Sequence, residues 1–370
     1  MLSKLKEKLH NFDIPLFAGV FIACILGILL IKSASLTYEN SSKIVIVQTG
    51  AFILGLIMLF LISFWDYEFL STHSKFIFAG NIFLLVLVLI IGIGREEVGG
   101  QSWIYLGPIS FQPAEIVKIG YIICFAVQLE KYEEDINNPK NLLFILIHIA
   151  AILGLILLQP DFGTAMVFVA IFIGMIFAAG ISYKYIISSV ICVTAALPLI
   201  WFFLLKDYQQ DRIRVFFNPE LDPMVSGYQV IQSKIAVGSG GLAGTGIFKG
   251  VQTQLGYIPA KHTDFIFSVA GEELGFIGSI LIVALLMFIV IRCFYIATNA
   301  KNSLGRYIAI GVGCMFLAQS FENIGMTIGI MPVTGITLPF FSYGGSSLVT
   351  NLIAIGLVLN VRLRHKSLNF

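Results

Sequence analysis

The chain predicts an all-α integral membrane protein of about ten transmembrane helices, with both termini cytoplasmic and a large extracytoplasmic loop (residues 206–264) between helices seven and eight. Three observations predict it. Apolar residues make up 58% of the 370 and charged residues 12%, whereas soluble domains run at about 45–50% and about 25%. Apolar runs of the length a bilayer requires, roughly 17–25 residues, recur along the whole chain. Lysine and arginine are also distributed unequally between alternate connections.

The runs lie at about 15–31, 44–63, 76–93, 113–128, 142–158, 163–180, 185–205, 265–291, 307–330 and 339–361. The first is long and no small-residue cleavage site follows it, so it reads as a retained signal anchor. No soluble domain or tandem repeat interrupts the series, and residues 1–370 form one polytopic domain. With the N-terminus inside, thirteen of the 23 Lys and Arg fall in inner segments and three (Lys32, Lys43, Arg95) in short outer loops. Six more occupy the 206–264 loop, and the bias survives them. A net charge of +2 is too small to suggest nucleic acid. The five cysteines, at 24, 124, 192, 293 and 314, have neither metal nor disulfide spacing and read as small buried hydrophobes.

Unusual chemistry follows odd-numbered spans, which places it on the outer face: residues 99–113, 159–164, 206–264 and 331–347. Asp264, in Pro259-Ala-Lys-His-Thr-Asp-Phe, stands where loop meets membrane. A carboxylate there pays a desolvation cost, and its pKa should rise toward the range of a general base. Capping span eight is the plainer role for it, unless Thr263 takes that place. His262 lies beside it. Glu272 and Glu273, about two turns on, suggest a structural ion pair within the protein.

Glu115 and Lys118 stand three apart on one face of span four and would neutralise one another. Arg212 is a candidate phosphate ligand, with Lys234 and Lys249 weaker ones. Asp161, in Gln159-Pro-Asp-Phe-Gly-Thr, reads as a turn or cap residue. Trp103 reads as an interface anchor or, more sharply, a sugar-stacking ring. Gln112, Pro332, Ser342 and Ser346 sit in the same outer segments, where small residues permit tight packing and hydroxyls could line a sugar site. The glycines at 238–244 lack the βαβ setting of a dinucleotide fingerprint and read as close backbone packing or a hinge. No metal-ligand spacing appears.

Five segments together resemble the SEDS proteins (shape, elongation, division and sporulation), the RodA branch more than FtsW. They are GPISFQPAEIVK (107–118), QPDFGTA (159–165), residues 208–223 with Arg212, residues 233–278 including IPAKHTDFIFSVAGEELGFIG, and NIGMTIGIMPVTGITLPFFSYGGSS (323–347). The resemblance implies a ten-helix inner-membrane glycosyltransferase that polymerises lipid II into β-1,4 glycan strands for elongation and shape, beside a class B penicillin-binding transpeptidase. It implies that Asp264 is the essential acidic residue and that Glu115 and Lys118 form a buried pair. No cofactor is implied with certainty; a divalent ion, Mg or Mn, could meet the pyrophosphate. Ser102-Trp103, Thr245 and Pro259-Ala260 stand where the family usually has Arg-Trp, Lys and Pro-Glu. A lipid II flippase and a non-catalytic scaffold for the transpeptidase are the competing readings.

Overall fold

The computed structural model describes residues 12–93, 102–106, 109–204, 207–218 and 226–364. Gly99 to Gln101, Arg95, Lys206 and the terminal residues carrying Lys4, Lys6, Lys8, His10, His365 and Lys366 lie outside the described residues. In chain order the helices are α1 (Ile14–Ser35), α2 (Ser41–Phe64), α3 (Tyr67–Thr72), α4 (Ser74–Ile91), α5 (Pro113–Lys131), α6 (Pro139–Leu158), α7 (Phe162–Ala178) and α8 (Tyr183–Leu199). They continue as α9 (Asp207–Phe217), α10 (Ser226–Ser239), α11 (Val251–Gln254), α12 (Ile266–Thr298), α13 (Ser303–Ile328) and α14 (Gly345–Leu363). A short antiparallel hairpin, β1 (Ile104–Leu106) and β2 (Ile109–Phe111), pairs Ile104 with Phe111 just before α5. Among the described residues, eight helices are long and apolar enough to cross a membrane. Each of the ten apolar runs falls on a helix.

The starts follow local chemistry. Proline occupies the first turn of α1, α5 and α6, where its missing N–H is not needed. Asp13, Asn138, Asp161 and Asn302 cap α1, α6, α7 and α13 through their side chains. Helix α13, with α14 along α2 and with α12, α7 and α5 around it, forms the centre of the bundle. Helix α8 is the exception: it buries no residue, and Cys192 on it is exposed rather than buried as expected. Pro198 near its end precedes a π-helical turn, Ile200–Leu204, consistent with loss of a backbone donor.

Two boundaries differ from expectation. The tenth span begins at Gly345, not 339, because residues 331–344 form an extended, turning segment in which the Ser342 hydroxyl accepts from the Leu338 amide (2.8 Å). The 206–264 stretch is no irregular loop: it contains α9, α10 and α11. Helix α10 buries Gly227, Val230, Ser233 and Ala236. The Ser233 hydroxyl bonds the Ser268 hydroxyl (2.6 Å) and the Thr327 carbonyl (2.5 Å), tying α10 to α12 and α13.

Helix α12 is broken at Gly275 (φ 68°, ψ −165°). A continuous helix would bond the 276 and 277 amides to the 272 and 273 carbonyls. Instead Phe276 N donates to Gly241 O (2.9 Å) and Ile277 N to Leu242 O (3.1 Å). The released Glu272 and Glu273 carbonyls accept from Thr245 N and Gly246 N (3.0 Å each). Residues 241–246 are thus spliced into the helix, replacing two lost hydrogen bonds with four. The splice needs bare backbone, since a Cβ on Gly244 would stand 2.2 Å from the Glu273 carbonyl oxygen and one on Gly275 2.3 Å from Gly244 N. This is the close packing the glycine run suggested. Gly275→Ala combines that overlap with a left-handed φ, and it should lower stability by about 1–3 kcal/mol; a thermal unfolding scan of the purified protein checks it.

Candidate active site

The site is a six-residue turn, 260–265, that delivers the chain into the first segment of α12. Ala260 takes φ 47°, and its carbonyl accepts from the amides of Thr263, Asp264 and Phe265 (3.1, 3.1 and 3.3 Å). Phe265 is the N-cap residue of α12, without a side-chain cap bond. Neither Asp264 nor Thr263 caps the helix, which leaves the Asp264 carboxylate for other work. Phe265 packs with Ala236 and Ile258 in a small satellite core joined by Ala260 and Val333, which anchors the turn from below.

Two distant segments hold the turn in place, and a third braces one of them. Asn323 on α13 donates to the Asp264 carbonyl (2.8 Å) and to the Ile336 carbonyl (2.7 Å). The Ser342 hydroxyl donates to the Thr263 carbonyl (2.6 Å), and Tyr343 N donates to the His262 carbonyl (2.8 Å). Gln48 on α2 fixes the 342–344 segment in turn, donating to Ser342 O (3.2 Å) and accepting from Gly344 N (3.1 Å). Ser342, expected as packing or sugar-lining, has both functions of its hydroxyl committed to this clamp. Ser346 lies half-buried in the first turn of α14.

Asp264 is partly buried, and among the described residues it joins no ion pair. Desolvation pushes its carboxyl up to about 6, with the Thr263 side chain opposing the rise. The expected elevation is present, and its cause is burial rather than a neighbouring carboxylate. Gly335 (φ 73°) is exposed and forms the opposite wall; a Cβ there would lie 3.7 Å from Asp264 Oδ2. His262 lies between Tyr38, which it meets edge to face, and Tyr343, whose ring is tilted to it (centroids 5.4 Å from each), and burial lowers its pKa.

Lys261 was only a loop charge in the sequence. It is buried, donating to Thr253 O (2.6 Å) and Thr37 Oγ1 (2.9 Å) beneath the Tyr38 ring, and burial lowers its pKa. Glu272 and Glu273 do not form the expected ion pair among the described residues. Glu272 accepts from Gln252 N (2.7 Å), Thr253 N (2.9 Å) and Thr253 Oγ1 (2.7 Å), so it serves as the cap of α11, which has none of its own. Glu273 accepts from Ser33 Oγ (2.5 Å) and so ties α12 to α1. Thr245 donates its hydroxyl to Glu272 O (3.1 Å).

A second polar group lies on the other side of the 334–336 strand of chain. Lys118 Nζ and Glu115 Oε1 meet at 2.8 Å with both side chains buried, as expected. Asp161 caps α7 through Thr164 N (3.0 Å) and Thr164 Oγ1 (2.8 Å) and accepts from Ser102 Oγ (3.3 Å) and Gln112 Nε2 (3.4 Å). Burial raises its pKa, and the Lys118 charge opposes the rise. Glu322, a buried carboxylate on α13 outside the motifs read from the sequence, feels both Asp161 and Lys118. Ser102 ties the chain just before β1 to the N-cap of α7. The groups touch through packing: Gly163 on α7 abuts Thr334 and Ile336.

The remaining candidates lie on other segments. Trp103 is half-buried and bridges backbone to Ile93. Arg212 falls on α9, and its side chain lies outside the described residues. Lys234 runs over Gly329, the left-handed C-cap of α13, where a cation complements the helix end. Lys249 is exposed just before α11, and Pro332 is half-buried after α13. Among the described residues no three Asp, Glu, His or Cys side chains converge as metal ligands.

Residues 15–367 match the FtsW/RodA/SpoVE family of cell cycle proteins. The peptidoglycan glycosyltransferase MrdB of Escherichia coli (strain K12) is 39% identical over 290 residues, 78% of each chain. A probable peptidoglycan glycosyltransferase FtsW of Trichlorobacter lovleyi is 36% identical over 361 residues, 96% of this chain and 94% of its own. A chain from a peptidoglycan synthase complex, described as coordinating polymerization and crosslinking, superposes with a TM-score of 0.82 at 30% identity, over 95% of this chain and 97% of that one. The rod shape determining protein RodA of Thermus thermophilus superposes with a TM-score of 0.72 at 28% identity, over 96% and 98%. This chain, with its turn-borne Asp264 and its buried Glu115–Lys118 pair, belongs to the FtsW/RodA/SpoVE (SEDS) family.

Proposed function

We propose that this multi-pass inner-membrane peptidoglycan glycosyltransferase polymerises lipid II at the outer face of the cytoplasmic membrane, with Asp264 as its general base. The observation that carries the reading is a carboxylate raised to about 6, free of ion pairs among the described residues, on a turn held by hydrogen bonds from two distant segments. A base works best when its pKa lies near the operating pH. Asp264 takes the proton of the acceptor GlcNAc 4-hydroxyl as that oxygen attacks the anomeric carbon of the donor. The bond from that carbon to the pyrophosphate oxygen breaks, the configuration inverts, and undecaprenyl pyrophosphate leaves with the electron pair. The leaving group is already activated, so one carboxylate suffices where a glycosidase uses two. Fixed cations must meet the developing charge, and Arg212, Lys234 and Lys249 are the candidates on this chain.

The bias of Lys and Arg toward alternate connections supports an inside N-terminus, which puts the Asp264 turn outside. The RodA neighbour supports a role in elongation and shape. The synthase-complex neighbour supports a transpeptidase partner of the class B penicillin-binding type.

One observation favours a second reading: broken helices and buried charges are transporter features, and α12 is broken. The break is sealed by the 241–246 splice, however, and no other helix among the described residues has a non-helical glycine inside it. Reconstitution with labelled lipid II separates the two. Glycan strands are the expected product, whereas translocated but unpolymerised lipid would establish the flippase.

A further inference from the structure

We infer that Asn323 is a positioning residue for the transfer reaction, an inference that rests on Asp264 being the base. A single amide nitrogen spends both hydrogens on backbone carbonyls from two separate segments, Asp264 O at 2.8 Å and Ile336 O at 2.7 Å. Because both neighbours are acceptors, that end of the side chain must be the NH₂ group. Asn323 is fully buried, and its bond to the Ile336 carbonyl is shut off from solvent.

The two carbonyls matter for what they carry. One belongs to the base residue itself, so its position sets the direction of the Asp264 Cα–Cβ bond. The other follows Gly335, the wall facing Asp264 Oδ2. One side chain therefore ties the base residue to the Gly335 segment that faces its carboxylate. The hydrogen bond from Ser342 reaches only the preceding carbonyl, that of Thr263, and Gln48 acts further along at 342–344. Neither duplicates the bridge. A displacement of about an ångström at a reacting group can cost about 100-fold in rate, so loss of the bridge should act on turnover and not on affinity for the lipid.

The test uses the purified full-length chain with labelled lipid II and compares Asn323→Asp and Asn323→Ser, neither of which can donate to both carbonyls at once, with the wild type. Turnover per folded molecule should fall about 10- to 100-fold with KM changed less than about threefold. The acid-side midpoint of the pH–rate profile should move away from about 6, because the environment of the carboxylate changes. Unchanged turnover overturns the inference. So does a loss that merely follows the unfolded fraction with the midpoint unmoved, or failure of both variants to fold, either of which would make Asn323 a structural residue. Asp264→Asn in the same assay separates the two claims: if it retains activity, the base assignment fails; if it is inactive while the Asn323 variants turn over normally, only the positioning role fails.

Discussion

Asp264→Asn is expected to reduce glycan polymerisation by about 10²–10⁴-fold, the usual contribution of a positioned general base, while the variant folds and melts at or above the wild-type temperature. The two halves of this expectation have one cause. Burial raises the carboxyl from 3.8 to about 6, so the folded state holds the proton more tightly than the unfolded chain does. For a group raised in this direction, ionisation above about pH 6 favours the unfolded state, and stability is recovered as pH falls through 6 toward 3.8. At neutral pH the carboxylate therefore weakens the fold that holds it. Asparagine keeps the shape, removes the charge and relieves that cost, the trade between stability and activity expected where a site is built against its own solvation. Activity assays at matched protein, together with unfolding scans at pH 7.5 and 5, check both halves. A variant that lost activity and melted far below the wild type would indicate a structural aspartate instead.

The second large effect is expected at Lys118. Its ammonium is the nearest cation to Glu115, and it also lies within electrostatic reach of Asp161 and Glu322, all of them buried or capping. Lys118→Met strands Glu115 without its counter-ion, and breaking a buried pair from one side costs about 3–5 kcal/mol. The consequence should reach the site, since Asp161 starts α7 and Gly163 two residues on supports Thr334 and Ile336 behind the Gly335 wall. Both the unfolding temperature and turnover should drop. The double variant Glu115→Leu/Lys118→Met should recover part of the stability, because an apolar pair of similar volume needs no counter-ion. Equal melting of single variant and wild type would show the pair to be dispensable.

Much of this was legible in the residues. The ten apolar runs needed only length and hydropathy, and Asp264 stood out as a carboxylate where a membrane span begins. Spacing alone paired Glu115 with Lys118 across one helical turn. The glycines at 238–246 and the one at 275 signalled close backbone packing, yet nothing local says that the two sets meet one another. Helix α10 escaped notice because its buried face, Gly227, Val230, Ser233 and Ala236, is small and partly polar and lacks the apolar stripe that marks a helix. Gln48, Lys261 and Asn323 act through backbone carbonyls or amides of distant segments, which no periodicity reveals. Glu322 did carry a signal, as an acid in the middle of an apolar span. Glu272 and Glu273 read as an ion pair because charge suggests charge; in the fold Glu272 caps α11 through amides and a hydroxyl, and Glu273 takes a hydroxyl from α1.

The proposed reaction turns on the titration of one carboxyl group. Its most direct test is the initial rate of strand formation from sub-saturating labelled lipid II by the wild-type enzyme, which follows kcat/KM and so the ionisation of the free enzyme, measured across the acid and neutral range. The rate should rise with pH through a single ionisation near 6, and Asp264→Glu should shift that midpoint. A rate that stays level through this range, or a midpoint indifferent to the substitution, would contradict the assignment of Asp264 as the base.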